Sequence, residues 1–189
     1  MDERYYVTYD AFQNSDFWLF FHIREKTAQK RPNNDTLISL EPGNWQSEIN
    51  LNITVNQKMQ LIHGRLDLTR DWVSGLHDPA NPFALDIARN FIGALIPSPD
   101  RPKILELGRS FQMSEAMKVR HEMQDDDLVK LLDSQAPETM AYRALLTFMG
   151  ASASFLQAFD FSNISMTNSK YGEHEWLQIE VSIIHAPVI

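Results

Sequence analysis

The sequence predicts an α+β fold: a mainly antiparallel sheet built from N-terminal and C-terminal strands, with central helices packed on one face. Three observations predict it. Near the C-terminus, Leu177, Ile179, Val181 and Ile183 alternate with Gln178, Glu180 and Ser182, the pattern of a strand with one buried and one wet face. Ile49, Leu51, Ile53 and Val55 alternate in the same way with Asn50, Asn52 and Thr54. Between these regions Phe83, Ile87, Phe91 and Leu95 recur at helical spacing.

Taken in order, Tyr5, Val7 and Tyr9 alternate with Tyr6 and Thr8 as a first strand. The run from Phe17 to Ile23 is apolar on both faces and predicts an interior strand. Residues 24–35 are charged, broken by Pro32 and rich in Asn, which predicts a solvated loop before a short strand from Thr36 to Leu40. Pro42-Gly43 makes a turn. The strand at 49–55 turns back through Asn56-Gln57-Lys58. On the return, Met59 and Leu61 share one parity while Ile62, Leu66 and Leu68 share the other. A strand changes its inward face this way through a bulge, which Gly64 would supply.

Pro79 and Pro82 open the amphipathic helix, and Pro97, Pro99 and Pro102 close it. One domain over 1–189 is expected, with a possible subdivision near 97–102: 1–96 mainly β plus one helix, 103–189 helical with a C-terminal hairpin. Further helices are expected at 113–123 with Ser114 as cap, from Asp125 to Leu132, and from Pro137 onward. The last, uncharged from Ala144 to Phe159, is expected as a core helix. It carries too many polar residues to span a membrane. Residues 164–167, a polar turn from Asn168 to Gly172 and the final strand return to the sheet, whose last strand should pair with the N-terminal strands.

A chain of 189 residues without cysteine forms no disulfide, thiolate metal site or cysteine nucleophile, so packing alone must hold it together. The N-terminus lacks the basic-then-apolar order of a secretory signal, and a cytoplasmic location is expected. The charge of −8 is uneven: residues 1–105 hold 11 Lys and Arg against 13 Asp and Glu, residues 106–189 hold 6 against 12. An acidic surface repels phosphate and steers basic partners toward it.

No motif names a reaction. With seven glycines there is no phosphate-binding loop, dinucleotide fingerprint or nucleophile elbow. His77-Asp78 precedes a helix entry, where Asp78 serves as a cap. His121 and Asp125 have helical ligand spacing, but two ligands do not make a metal site. No metal and no cofactor is expected.

The sequence therefore favours a noncatalytic protein–protein interaction module, an inhibitor, immunity or chaperone-like binder or a complex subunit. Its acidic helical surface would comprise Met113, Met117, Asp125, Asp126 and Asp127. Methionine adapts to exchangeable partners, and the rest of that helix is very polar. Its partner would be another protein, one with a basic surface, or a second copy of the chain. The alternative is a small-ligand-binding protein or hydrolase-type enzyme with a site between sheet and helices, drawing on His22, His63, Arg65 or His121. A further alternative is a nucleic-acid-associated subunit using Arg24, Lys26, Lys30 and Arg31.

Overall fold

In a computed structural model of the chain, residues 5–74, 81–100 and 155–184 are described. They form a seven-stranded antiparallel sheet of order β1-β2-β3-β4-β7-β6-β5. The strands are β1 (Arg24–Lys30), β2 (Thr36–Glu41), β3 (Ile49–Val55), β4 (Leu61–Thr69), β5 (Phe155–Ala158), β6 (Ser162–Tyr171) and β7 (His174–Ile183). The helices are α1 (Tyr9–Gln13), α2 (Asp16–Phe20), α3 (Arg70–Ser74) and α4 (Pro82–Leu95). The first and last parts of the chain join where β4 pairs with β7, from His63 opposite Ser182 to Thr69 opposite Trp176.

Register carries the two-residue alternation across the whole sheet. Ile38, Ile53, Gly64, Val181 and Ile164 align on one face, and Leu40, Leu51, Leu66, Ile179 and Met166 form the next row. Apart from Gly64, which has no side chain, these residues are buried in the core. Helix α4 lies against this face over β4 and β7, with Ile87, Phe91 and Leu95 fully buried. Its seat is Gly64, where a β-carbon would stand 2.4 Å from Leu95 Cδ1 and 3.1 Å from Phe91 Cζ. Asn81 caps the helix by accepting from the Phe83 amide at 3.0 Å. Phe83, expected on the buried stripe, is half exposed and packs on Trp45 with ring centroids 5.2 Å apart.

The mainly antiparallel α+β arrangement agrees with the sequence, while several elements differ. Residues 5–9 make only one isolated bridge, Thr8 to Gln60, before α1 begins. The expected interior strand at 17–23 is instead α2 followed by a turn. Its apolar residues divide between buried Phe17 and Phe21 and exposed Leu19 and Phe20. The reason is local: the Thr8 hydroxyl accepts from the Ala11 amide and the Ser15 hydroxyl from the Trp18 amide, so each starts a helical turn. The first part of the loop expected over 24–35 is instead strand β1, Arg24–Lys30, exposed along its length. A sheet edge wet on both faces has the composition of a loop, and its charges oppose edge-to-edge association.

The bulge in β4 falls at Ile62, since Val55 pairs with Leu61 and Thr54 with His63. Gly64 therefore serves the helix contact and not the bulge. The core helix expected through 159 is not found over Phe155–Ala158, which is an edge strand. Strand β6 runs on to Tyr171, and Gly172, at φ +64°, begins the tight turn into β7. In the Pro-rich stretch Asp100 is buried and accepts from Ser162 Oγ at 2.8 Å and the Phe161 amide at 3.3 Å, tying residue 100 to β6. The helices expected within 103–154 lie outside the described residues.

Candidate functional site

The same alternation that aligns the core face puts every second residue of β2, β3, β4 and β7 on the opposite face. Asn52 pairs with Arg65 and Arg65 with Glu180, so three polar side chains stand in one row. Thr54, His63 and Ser182 form the row on one side, Asn50, Asp67 and Gln178 the row on the other. On this face lies an open groove of about 590 Å³, within the roughly 300–1,000 Å³ typical of small-molecule sites.

The groove floor is a connected polar network. Arg65 Nε donates to Asp67 Oδ1 at 2.8 Å, and its NH1 lies 3.7 Å from Glu180 Oε1. His63 Nε2 stands 3.8 Å from Glu180 Oε2. The Tyr171 hydroxyl donates to Asp67 Oδ2 at 3.2 Å and accepts from Asn50 Nδ2 at 3.0 Å. Asp67 is 3% exposed, so its carboxylate depends on these donors in place of water. Further along, Ser39 Oγ donates to Asn52 Oδ1 at 2.8 Å. The Tyr171 ring stacks on Trp176, with centroids 4.8 Å apart and planes 2° from parallel, forming an aromatic wall on the same face.

The electrostatics follow from burial and these contacts. Burial lowers the pKa of His63 below its ordinary value, against the opposing pull of Glu180, so the imidazole is neutral at neutral pH. The hydrogen bond to Asp67 above all raises that of Arg65. Burial lifts the Tyr171 phenol, which therefore remains a donor.

Of the residues singled out from sequence, the structure brings His63 and Arg65 together on the face opposite α4, with Lys26 and Arg31 bordering the same groove. His22 lies elsewhere, exposed with φ +50°. Arg24, Lys26, Lys30 and Arg31 are strung along and just beyond edge strand β1. Arg24 pairs with Glu41 at 2.8 Å and Lys26 lies 3.8 Å from the same carboxylate, which offsets one of the four positive charges. Met113, Met117, His121, Asp125, Asp126 and Asp127 lie outside the described residues, as does His77-Asp78. Among the described residues no group of three or more His, Asp or Glu is arranged to hold a metal ion. No described helix is long and apolar enough to cross a membrane.

Sequence reasoning missed Asp67, Tyr171 and Asn52 as site members. The signal was present in the alternation, which already set Asn50, Asn52 and Thr54 on one face of β3 and Glu180 on one face of β7. What alternation lacks is the adjacency of β4 and β7, which makes neighbours of residues more than a hundred positions apart. A second concavity of about 540 Å³ between α2 and α4 exposes Leu19 and Phe20 beside Asp86 and Arg89. Those two charges close on each other at 2.7 Å, leaving a less polar and less organised surface. Comparison with known protein families, curated proteins and solved structures found no match to this chain.

Proposed function

We propose that this chain is a noncatalytic binding module in which central helices cover the apolar face of the sheet and the polar face holds a small ligand. The observation that supports this reading is the groove network itself. Asp67 is buried, but its partners come from within its own strand and from β6, and Arg65, Glu180 and His63 are oriented before any ligand arrives. Groups fixed in advance lose less freedom on binding, which is how a polar surface gains affinity. Soluble sheets commonly leave one face to water, where a polar side chain does not need this degree of burial or connection.

The test is native mass spectrometry of the chain purified from its own cells, beside Asn52→Ala. The wild type should carry an additional small-molecule mass that the variant loses. A bare wild-type mass would count against the reading.

One observation favours a second reading, an enzyme using acid–base chemistry: His63 is kept neutral by burial and faces Glu180. Hydrolysis of a simple aryl ester by the wild type and not by His63→Gln would support it, and background rates from the wild type would remove it. Capture of a basic protein through Asp125, Asp126 and Asp127 is an independent proposal, tested by charge reversal at those three positions.

A further inference from the structure

The charges bordering the groove balance. Lys26, Arg31 and Arg65 face Glu41, Asp67 and Glu180, and a neutral His63 adds nothing to the sum. A groove whose own charges balance offers no surplus charge for an ion to pair with, so recognition within it must come from short-range hydrogen bonds. The groove supplies these from neutral side chains that both donate and accept. The Asn52 amide accepts from Ser39 through its oxygen, and its NH₂ group has no hydrogen-bond partner among the described residues. Thr54 adds a hydroxyl beside it. Glu180 stands 3.7 Å from Arg65 NH1 and 3.8 Å from His63 Nε2, beyond hydrogen-bond reach, so its oxygens can still accept closer donors.

A ligand matching this pattern needs many groups that donate and accept together and carries no net charge. Hydroxyl groups on a compact ring have that chemistry. The Tyr171 ring, fixed against Trp176, offers an aromatic wall of the kind on which the C–H face of such a ring can pack. Building on the proposed binding role of this face, we infer that the groove takes a neutral polyhydroxylated ligand of saccharide type, held by Asn52, Arg65 and Glu180. The groove's volume of about 590 Å³ accommodates one or two sugar rings.

The experiment is a titration of the ¹⁵N-labelled full chain with three probes in parallel: a panel of neutral mono- and disaccharides, inorganic phosphate, and spermidine. The expected result is that a saccharide shifts amide resonances of β3, β4 and β7, with Asn52→Ala weakening binding about five-fold. Affinity should change less than about two-fold between low and high salt, because no ion pair to the ligand is formed or screened. Phosphate or spermidine moving these amides in place of the saccharides would overturn the ligand class while leaving the groove as a binding site. Saccharide shifts confined to other surfaces would overturn the inference at this site. Silence of the groove amides to every probe, joined with a bare native mass, would overturn both the inference and the binding role beneath it.

Discussion

Gly64 is the position where the fold is most sensitive to a single carbon atom. An added β-carbon would lie 2.4 Å from Leu95 Cδ1, 3.1 Å from Phe91 Cζ and 3.3 Å from Leu95 Cδ2. Carbon atoms in good contact sit about 3.5–4.0 Å apart, so the Leu95 methyl must retreat by roughly 1 Å or more. Leu95 and Phe91 are both fully buried, and the retreat has to be taken up by packed neighbours. Overpacking of this kind costs about 1–3 kcal/mol, partly offset by about 0.4–1 kcal/mol from the stiffer unfolded chain. Gly64→Ala should thus lose about 1–2 kcal/mol, which in a chain of this size lowers Tm by about 2–8 °C.

Gly93, on the same helix, provides the opposite case. Nothing lies within 4 Å of its added β-carbon, so Gly93→Ala should be stabilising by up to about 1 kcal/mol through helix propensity alone. Urea unfolding followed by tryptophan fluorescence and circular dichroism measures both. A double variant with Leu95→Ala completes the cycle, and the pair should couple by about 1 kcal/mol because the smaller residue makes room for the new methyl. Gly64→Ala at or above wild-type stability, with no coupling to Leu95, would refute the seating of α4 on β4.

Three further outcomes are expected. Asp100→Ala strands the fully buried Ser162 hydroxyl and should lose about 1–3 kcal/mol in the same urea assay. Tyr171→Phe removes a donor from Asp67 and an acceptor from Asn50, and should lose about 0.5–1.5 kcal/mol while leaving the ring stacked on Trp176. The folded state holds the pKa of His63 below its ordinary 6.5, so the unfolded chain takes up this proton first as pH falls. Stability should accordingly be flat in this respect above about pH 6.5 and decline below it, and a Tm series on His63→Gln should show a shallower acid slope than the wild type.

The alternation in β3 and β7 was legible residue by residue, because strand periodicity is a local property that requires only knowing which side chains avoid water. The same holds for α4 from Ala84 onward, where four-residue spacing survives in the buried positions. The places where sequence misled were those where polarity has two structural solutions. The charged residues of β1 read as a loop because a two-sided wet edge and a loop share a composition, and only pairing with β2 separates them. The apolar run at Phe17 read as a buried strand, yet capping by Ser15 made it helical and left Leu19 and Phe20 outside.

Alternation also told which residues of β3 and β7 face away from the core, while in β4 the mixed parity around the bulge left the outward set to the structure. It could not say that Arg65 stands between Asn52 and Glu180, or that Tyr171 reaches Asp67, since those adjacencies arise from strand order and register. A sequence by itself determines the faces of its elements, because hydration acts on each side chain where it stands. Only the tertiary structure decided which faces meet, because pairing between β4 and β7 depends on the closing of a loop of more than a hundred residues. The groove exists by virtue of that closure.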